Sequence, residues 1–161
     1  MIVPEPTRPH FDPGYGIRTE PDGMLPWSAL SEAFAAARSY WIGSTRADGR
    51  PHAAPVWGVW LDETLHFSTG PASVKGRNLA RRPEVVVHLE SGDDVFIIEG
   101  RGERVTNRDV LSRFADAYDA KYSFRPNPDD PGGLFCAVRP TAAYAWRERD
   151  FPQSATCWRF T

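Results

Sequence analysis

Residues 40–69 read YWIGSTRADGRPHAAPVWGVWLDETLHFST, and this stretch decides the fold. Tyr40–Thr45 and Pro51–Leu61 are strand-like runs on either side of Ala47-Asp48-Gly49. Asp-Gly supplies the positive φ angles of a tight turn, so the two runs are expected to form a hairpin. Asp62-Glu63 makes the next turn and Thr64–Ser68 the third strand. Within the second run, Val56, Gly58 and Trp60 share one face, and Trp57, Val59 and Leu61 the other. A glycine between bulky neighbours leaves room for a flat ring against the strand. Packing of a barrel core explains the same pattern.

Working outward, residues 72–82 read as a short helix stopped by Pro83. Val85–Glu90 and Val95–Val105 form a second hairpin through Ser91-Gly92-Asp93, and Gly100 and Gly102 mark a bulge or a close backbone approach in its second strand. Residues 108–122 predict a longer helix with Val110, Leu111, Phe114, Ala117 and Tyr118 on its apolar side. Prolines and glycines enforce a loop over 126–133. Leu134–Val138, Thr141–Trp146 and Thr156–Phe160 are further strands. Upstream, 27–39 is helical with Ser28 as its cap, whereas 1–26 carries six prolines and reads as an extended arm packed on a domain of residues 27–161. Short strands with small helices between them fit a mainly β, antiparallel barrel better than a doubly wound sheet.

Composition narrows the function. The chain has 161 residues, 41% hydrophobic and 25% charged, which suits one cored domain. A net charge of −2 argues against a general nucleic-acid binder, which needs a basic face. Seventeen of the nineteen basic residues are Arg; the only lysines are Lys75 and Lys121. Cys136 and Cys157 form neither a disulfide framework nor a metal-ligand spacing. No run approaches a membrane span, and 1–26 lacks the apolar core of a signal peptide, so a cytoplasmic protein with no membrane or nucleic-acid partner is expected. His10, His52, His66 and His88 are scattered and propose no metal site. Nucleophile elbows, phosphate-binding Gly-rich loops and zinc motifs are all absent.

The informative segment is FSTGPASVKGRNL, residues 67–79. A strand ends in Ser68 and Thr69, a Gly-Pro turn follows, and a helix begins with Ser73 and Lys75 in its first turns. Backbone N–H groups, hydroxyls and a cation at a helix start suit a phosphate. Capping by Thr69 or Ser73 with a solvated Lys75 accounts for the same residues, and on local grounds both readings stand.

Residues 53–61 followed by LHFSTGPASVKGRNLARRPEVVVHLE (65–90) and VFIIEGRGERV (95–105) resemble the pyridoxamine-5′-phosphate-oxidase-like split β-barrel family of flavin and deazaflavin proteins. The resemblance covers roughly residues 30 to 147 and is most specific at Ser68-Thr69, Ser73-x-Lys75, Asn78-Leu79 and Pro83. It implies an FMN-binding split-barrel type of fold and a homodimer with two cofactor clefts at the subunit interface. The flavin-type ring would lie along Pro55, Val56 and Trp57, with its ribityl phosphate at Ser68, Thr69, Ser73 and Lys75 and with Asn78 in the same motif. Trp146, placed by approximate position, would wall the partner's cleft. The true oxidases carry an Arg and a Lys on the second strand where Ala54 and Val59 stand here, and their C-terminal substrate signature is not evident, so the vitamin-pathway activity is not implied. Pro55-Val56-Trp57, the run Asn78-Leu-Ala-Arg-Arg-Pro83 and the C-terminal AWRERDFPQSATCWRF look more like the branch of coenzyme F-420-dependent reductases. That branch implies hydride transfer to a small organic acceptor, with Arg77, Arg81 and Arg82 available to an acidic cofactor tail. An FMN protein of the same fold, or a cofactor- or haem-binding module without turnover, are the rival readings.

Overall fold

The computed structural model describes residues 1–161. Eight antiparallel strands form one curled sheet: β1 (Tyr40–Thr45), β2 (Pro51–Val56), β3 (Gly58–Leu61), β4 (Thr64–Thr69), β5 (Glu84–His88), β6 (Asp94–Arg104), β7 (Leu134–Arg147) and β8 (Thr156–Arg159). Four helices sit outside it: α1 (Trp27–Ala36), α2 (Val74–Arg81), α3 (Arg108–Tyr122) and the single turn α4 (Phe151–Ser154). The strand order is β2-β1-β5-β6-β7-β4-β3, with β8 added to β7. This is a mainly β, split antiparallel barrel with small peripheral helices.

The turns follow from their residues. Gly49 has φ 87°, as the Asp-Gly turn requires, and Asp62 and Glu63 adopt φ 52° and 60° in the two-residue turn between β3 and β4. Ser91 closes the β5–β6 turn by accepting the N–H groups of Asp93 and Asp94. Asn107 caps α3 through the N–H groups of Asp109 and Val110.

Four expectations are corrected. Residues 51–61 are not one strand. β2 pairs with β1, and β3 pairs with β4 at the other end of the sheet, so the chain changes partner at Trp57. Val56, Gly58 and Val59 are all buried, because strict alternation ends where the partner changes. Residues 134–146 do not contain a break but run through one strand of 14 residues. Pro140 is tolerated inside it because the alternation that bonds Phe135 to Val105 turns residue 140 away from β6, to the side where β4 pairing has ended at Val138 and β8 pairing has not begun. Ser28 does not cap α1. Pro26 occupies the cap position without a side-chain bond, and the helix start is fixed instead by Trp27, whose indole N–H donates to Glu63 at 2.5 Å and whose ring meets Trp158 edge-on. The same helix ends at Ala36 rather than near residue 39.

The barrel interior holds Phe34, Tyr40, Ile42, Phe67, Val87, Ile98 and Trp158, all fully buried or nearly so. A second cluster of Val59, Leu111, Phe114, Tyr118 and Phe135 lies under α3. The arm is tied down as well. Thr7 exchanges two backbone bonds with Cys157, and the Arg8 guanidinium donates to the carbonyls of Glu20, Asp22, Gln153 and Ala155. Phe11, Tyr15 and Phe151 pack together, with Phe11 and Phe151 against Trp146. Both cysteines are buried and unpaired. No helix is long and apolar enough to cross a membrane.

A methyl group at Gly100 would run into the Arg139 carbonyl across the bulge. Gly100→Ala is therefore expected to cost about 1–3 kcal/mol of stability. Gly92→Ala, in a turn with open space around it, should stay within about 0.5 kcal/mol of the parent chain. Urea midpoints compare the two, and equal midpoints would mean that β7 yields at the bulge.

Candidate functional site

The segment singled out from the sequence folds into a compact cradle. β4 ends in Ser68 and Thr69, the Gly70-Pro71 turn reverses the chain, and α2 begins at once. Ser73 is the helix cap: its Oγ accepts the Gly76 N–H at 3.0 Å and lies 2.9 Å from Thr69 Oγ1. Only one of the two hydroxyl hydrogens lies between these oxygens, so the other is free for a ligand. Gly76 is required because a Cβ there would meet the Gly70 carbonyl and, at 2.8 Å, that of Pro71. Lys75 is half-buried in the first turn of α2 and joins no ion pair. Asn78 is buried, and its Nδ2 donates to Ser44 Oγ at 3.0 Å, which ties α2 to β1.

His52 on β2 pairs with Ser44 in register and faces the cradle. Its Nδ1 is shielded from solvent and has no hydrogen-bond partner. Burial pushes its pKa down, and the positive charges of Arg46 and Lys75 add to the effect, so the ring is neutral. An anionic group seated between Lys75 and the Thr69–Ser73 pair would engage the free hydroxyl and, in the Nδ1–H tautomer, satisfy His52. These residues fit a phosphate.

β2 is an end strand of the sheet, so half of its backbone has no strand partner. The hairpin closes with Arg46 N–H donating to the Arg50 carbonyl, and the antiparallel alternation then turns the backbone of residues 51, 53 and 55 away from β1. Pro51 and Pro55 have no N–H, which leaves Ala53 N–H and three carbonyls along this edge. A groove of about 520 Å³ beside it includes Gly43, His52, Ala53 and Val86. The chain also has a larger groove of about 730 Å³ near Met1, His66 and Arg139. Of the two grooves only the one beside β2 includes His52, and neither includes Ser68, Thr69, Ser73 or Lys75.

Pro55, Val56 and Trp57 stand at the end of β2, on the same strand as His52. Trp146 does not join them. It lies on β7, two residues beyond Tyr144, which is four strand steps of about 4.8 Å across the sheet from Pro55 through Trp41, His88 and Ile97. Within one chain it packs on Phe11 and Phe151 instead.

Sequence reasoning gave Lys121 no role, yet it sits at the seam where β2 and β3 part. Lys121 Nζ donates to the Gly58 carbonyl at 2.9 Å and to Tyr40 Oη at 3.0 Å, and lies over the Tyr40 and Tyr122 rings. Tyr122 Oη accepts the Gly58 N–H at 3.0 Å and donates to the Arg38 carbonyl at 2.6 Å. Trp57 stacks flat on Tyr122, with centroids 4.5 Å apart and 2° between planes. A local signal existed: positions 117, 118, 124 and 125, three and four residues either side of Lys121, hold no carboxylate to pair with it. No three His, Cys, Asp or Glu side chains come together as a metal-binding group.

A family model for pyridoxamine 5′-phosphate oxidase matches residues 27–147. The chain belongs to that family. No curated protein sequence matches it. Among solved structures it is similar to a conserved hypothetical protein of Mycobacterium tuberculosis, at 20% identity and a TM-score of 0.69 over 82% of this chain and 91% of that one. An F420 reductase aligns at 24% identity and a TM-score of 0.56, over 70% of this chain and 94% of that one. A heme-binding protein of Mycobacterium smegmatis aligns at 17% identity and a TM-score of 0.60, over 76% and 55% respectively. At these identities the likeness extends to the fold.

Burial, with Arg38 adding repulsion, lowers the Lys121 ammonium to a pKa of about 8, against an ordinary lysine value of 10.5. Between these values the unfolded chain holds a proton that the folded chain has released, so stability rises with pH. Tyr40 works the other way only at higher pH, since burial raises its phenol and the unfolded tyrosine ionises first, near pH ~10. Buried Cys136 and Cys157 oppose this above pH ~8.5, because the unfolded thiols ionise first, so the comparison is with Lys121→Met: the parent's melting temperature should rise relative to that variant's from pH ~7.5 to ~9.5. A difference that stays constant with pH would mean that the ammonium is solvated.

Proposed function

We propose that the chain is an oxidoreductase that works with a flavin-type cofactor, the deazaflavin coenzyme F-420, and reduces a small organic acceptor. The observation that carries this reading is the cradle: an unpaired Lys75, a spare hydroxyl hydrogen on Thr69 or Ser73, and the orphaned Nδ1 of His52, all beside an unpaired strand edge. Lys75, Ser68, Thr69 and Ser73 would hold the ribityl phosphate, with Asn78 fixing α2 beneath them through Ser44. The edge of β2, ending in Pro55, Val56 and Trp57, would line the ring with backbone carbonyls and with the Ala53 N–H. When bound, the reduced cofactor supplies a hydride, and the acceptor takes its proton from water. The chain's own task is orientation: a fixed edge presents the ring, and the cradle fixes its tail.

Support for F-420 over FMN comes from α2. Arg81 and Arg82 are exposed and hold no carboxylate, so they are free for an acidic tail. Ala54 and Val59, where the oxidases carry cations, point the same way. A homodimer completes the reading. The strand edge is open in a single chain, Trp146, which packs on Phe11 and Phe151 within one chain, would wall the partner's cleft, and the outer face beside the edge carries Trp41, Ala53, Pro55 and Val86. Two buried, unbridged cysteines suit a reducing compartment such as the cytoplasm.

Side-by-side titration with F-420 and FMN tests this. Saturable binding of F-420 and none of FMN is expected, with Lys75→Ala weakening F-420 about tenfold or more, since a charge-assisted contact contributes about 1.5–3 kcal/mol. An unchanged affinity in Lys75→Ala would reduce the cradle to a helix cap, and tight binding of FMN alone would assign the site to that cofactor.

A further inference from the structure

The seam carries a second feature that the cradle does not use. Trp57 is 45% exposed although one indole face is covered by Tyr122. With Tyr122 on one face and Tyr118 6.4 Å away, that exposure is left to the remaining face and edges of the ring. Beside the stack stands Arg38, between α1 and β1, with its guanidinium carbon 5.7 Å from the Trp57 ring centre and 5.9 Å from that of Tyr122. Seven other arginines of this chain hold a carboxylate within 4 Å. Arg38 holds none, and its guanidinium donates no hydrogen bond within the chain. The nearby Lys121 ammonium has no acid partner either; it points to Gly58 and Tyr40.

The stack is rigid. Tyr122 Oη bonds both the Arg38 carbonyl and the Gly58 N–H, and Lys121 holds the Gly58 carbonyl, so α3 locks both rings and the Arg38 backbone to one point. No side chain could replace Gly58 without moving β4, because a Cβ there would be 2.7 Å from the His66 carbonyl. A flat open indole face selects a planar conjugated partner. An exposed planar guanidinium with no carboxylate and no hydrogen-bond acceptor of its own in the chain suits a carboxylate, which it can hold by two parallel bonds.

We propose that Trp57 and Arg38 form a binding site for a planar conjugated carboxylate, its ring on the open indole face and its carboxylate on the Arg38 guanidinium. Resting on the oxidoreductase reading above, this site seats the acceptor, at the end of the strand whose edge would line the cofactor ring. Substrates of this class are conjugated, reducible rings bearing an acid group, such as carboxylated quinones.

Calorimetric titration of the full chain with anthraquinone carboxylate and with its neutral hydroxymethyl analogue tests the site, with and without F-420 present. The carboxylate should bind at least about tenfold more tightly than the neutral compound. Arg38→Gln should abolish that preference while keeping the neutral compound's affinity, and Trp57→Leu should weaken both by about tenfold. Arg38 is exposed and its side chain bonds nothing, so its variant carries the test even if Trp57→Leu disturbs the fold. The proposal is overturned if neither compound binds the parent chain, or if Arg38→Gln keeps the preference. Binding of the carboxylate without any binding of F-420 would support the site and overturn its role as an acceptor seat. Binding of F-420 without either quinone would overturn the site and leave the oxidoreductase reading standing.

Discussion

The barrel is closed by a helix and not by a ladder. β2 and β3 follow each other in sequence with only Trp57 between them, yet they occupy the two ends of the sheet. No strand pairing joins these ends. Trp57 joins them covalently, and the C-terminal turn of α3 pins that junction: Tyr122 and Lys121 bond the N–H and the carbonyl of Gly58, Lys121 also reaches Tyr40 on β1, and Tyr122 stacks on Trp57. Burying an amine beside two tyrosines is costly, and the lowered pKa of Lys121 records that cost. The return is a defined gap. The open edge of β2, the cradle on α2 and the open face of Trp57 all border it.

Much of this architecture was legible in the residues. Asp48-Gly49 and Asp62-Glu63 announce their turns through local backbone geometry, and Asn107 with the apolar spacing to Tyr118 announces α3. Gly100 signals a close approach because any side chain there would push on the Arg139 carbonyl. The partner change at Trp57 was not legible. Val56, Trp57, Gly58 and Val59 all suit a strand, and the break is imposed by which distant strand each half meets, a property of the whole sheet. Pro140 misled in the opposite direction. It suggested an ending, but it falls in the gap between the pairings of β7 with β4 and with β8, where no bond is asked of it.

At the site, the two readings of the 67–79 segment turn out not to compete. Ser73 is a helix cap, and the same hydroxyl joins Thr69 in a pair with one hydrogen to spare. A cap is already a polar group held at a helix start, so the structural role preorganises the one proposed for binding. Asn78 divides differently: its nitrogen is committed to Ser44, which makes it a brace for α2. His52 was indistinguishable in sequence from the other scattered histidines. Only the fold brings it beside Lys75 and strips Nδ1 of a partner.

The prolines on β2 have a consequence beyond shaping that edge. An exposed strand edge is a template for any other extended chain, including another copy of the same protein, and invites sheets to grow without limit. Pro51 and Pro55 remove two of the three outward N–H groups on this strand, so an incoming strand would find its acceptors facing pyrrolidine rings. A compact ligand that asks for one donor and a few carbonyls is not penalised in this way. The same two residues thus let the barrel stay open on one side while protecting it from runaway self-assembly.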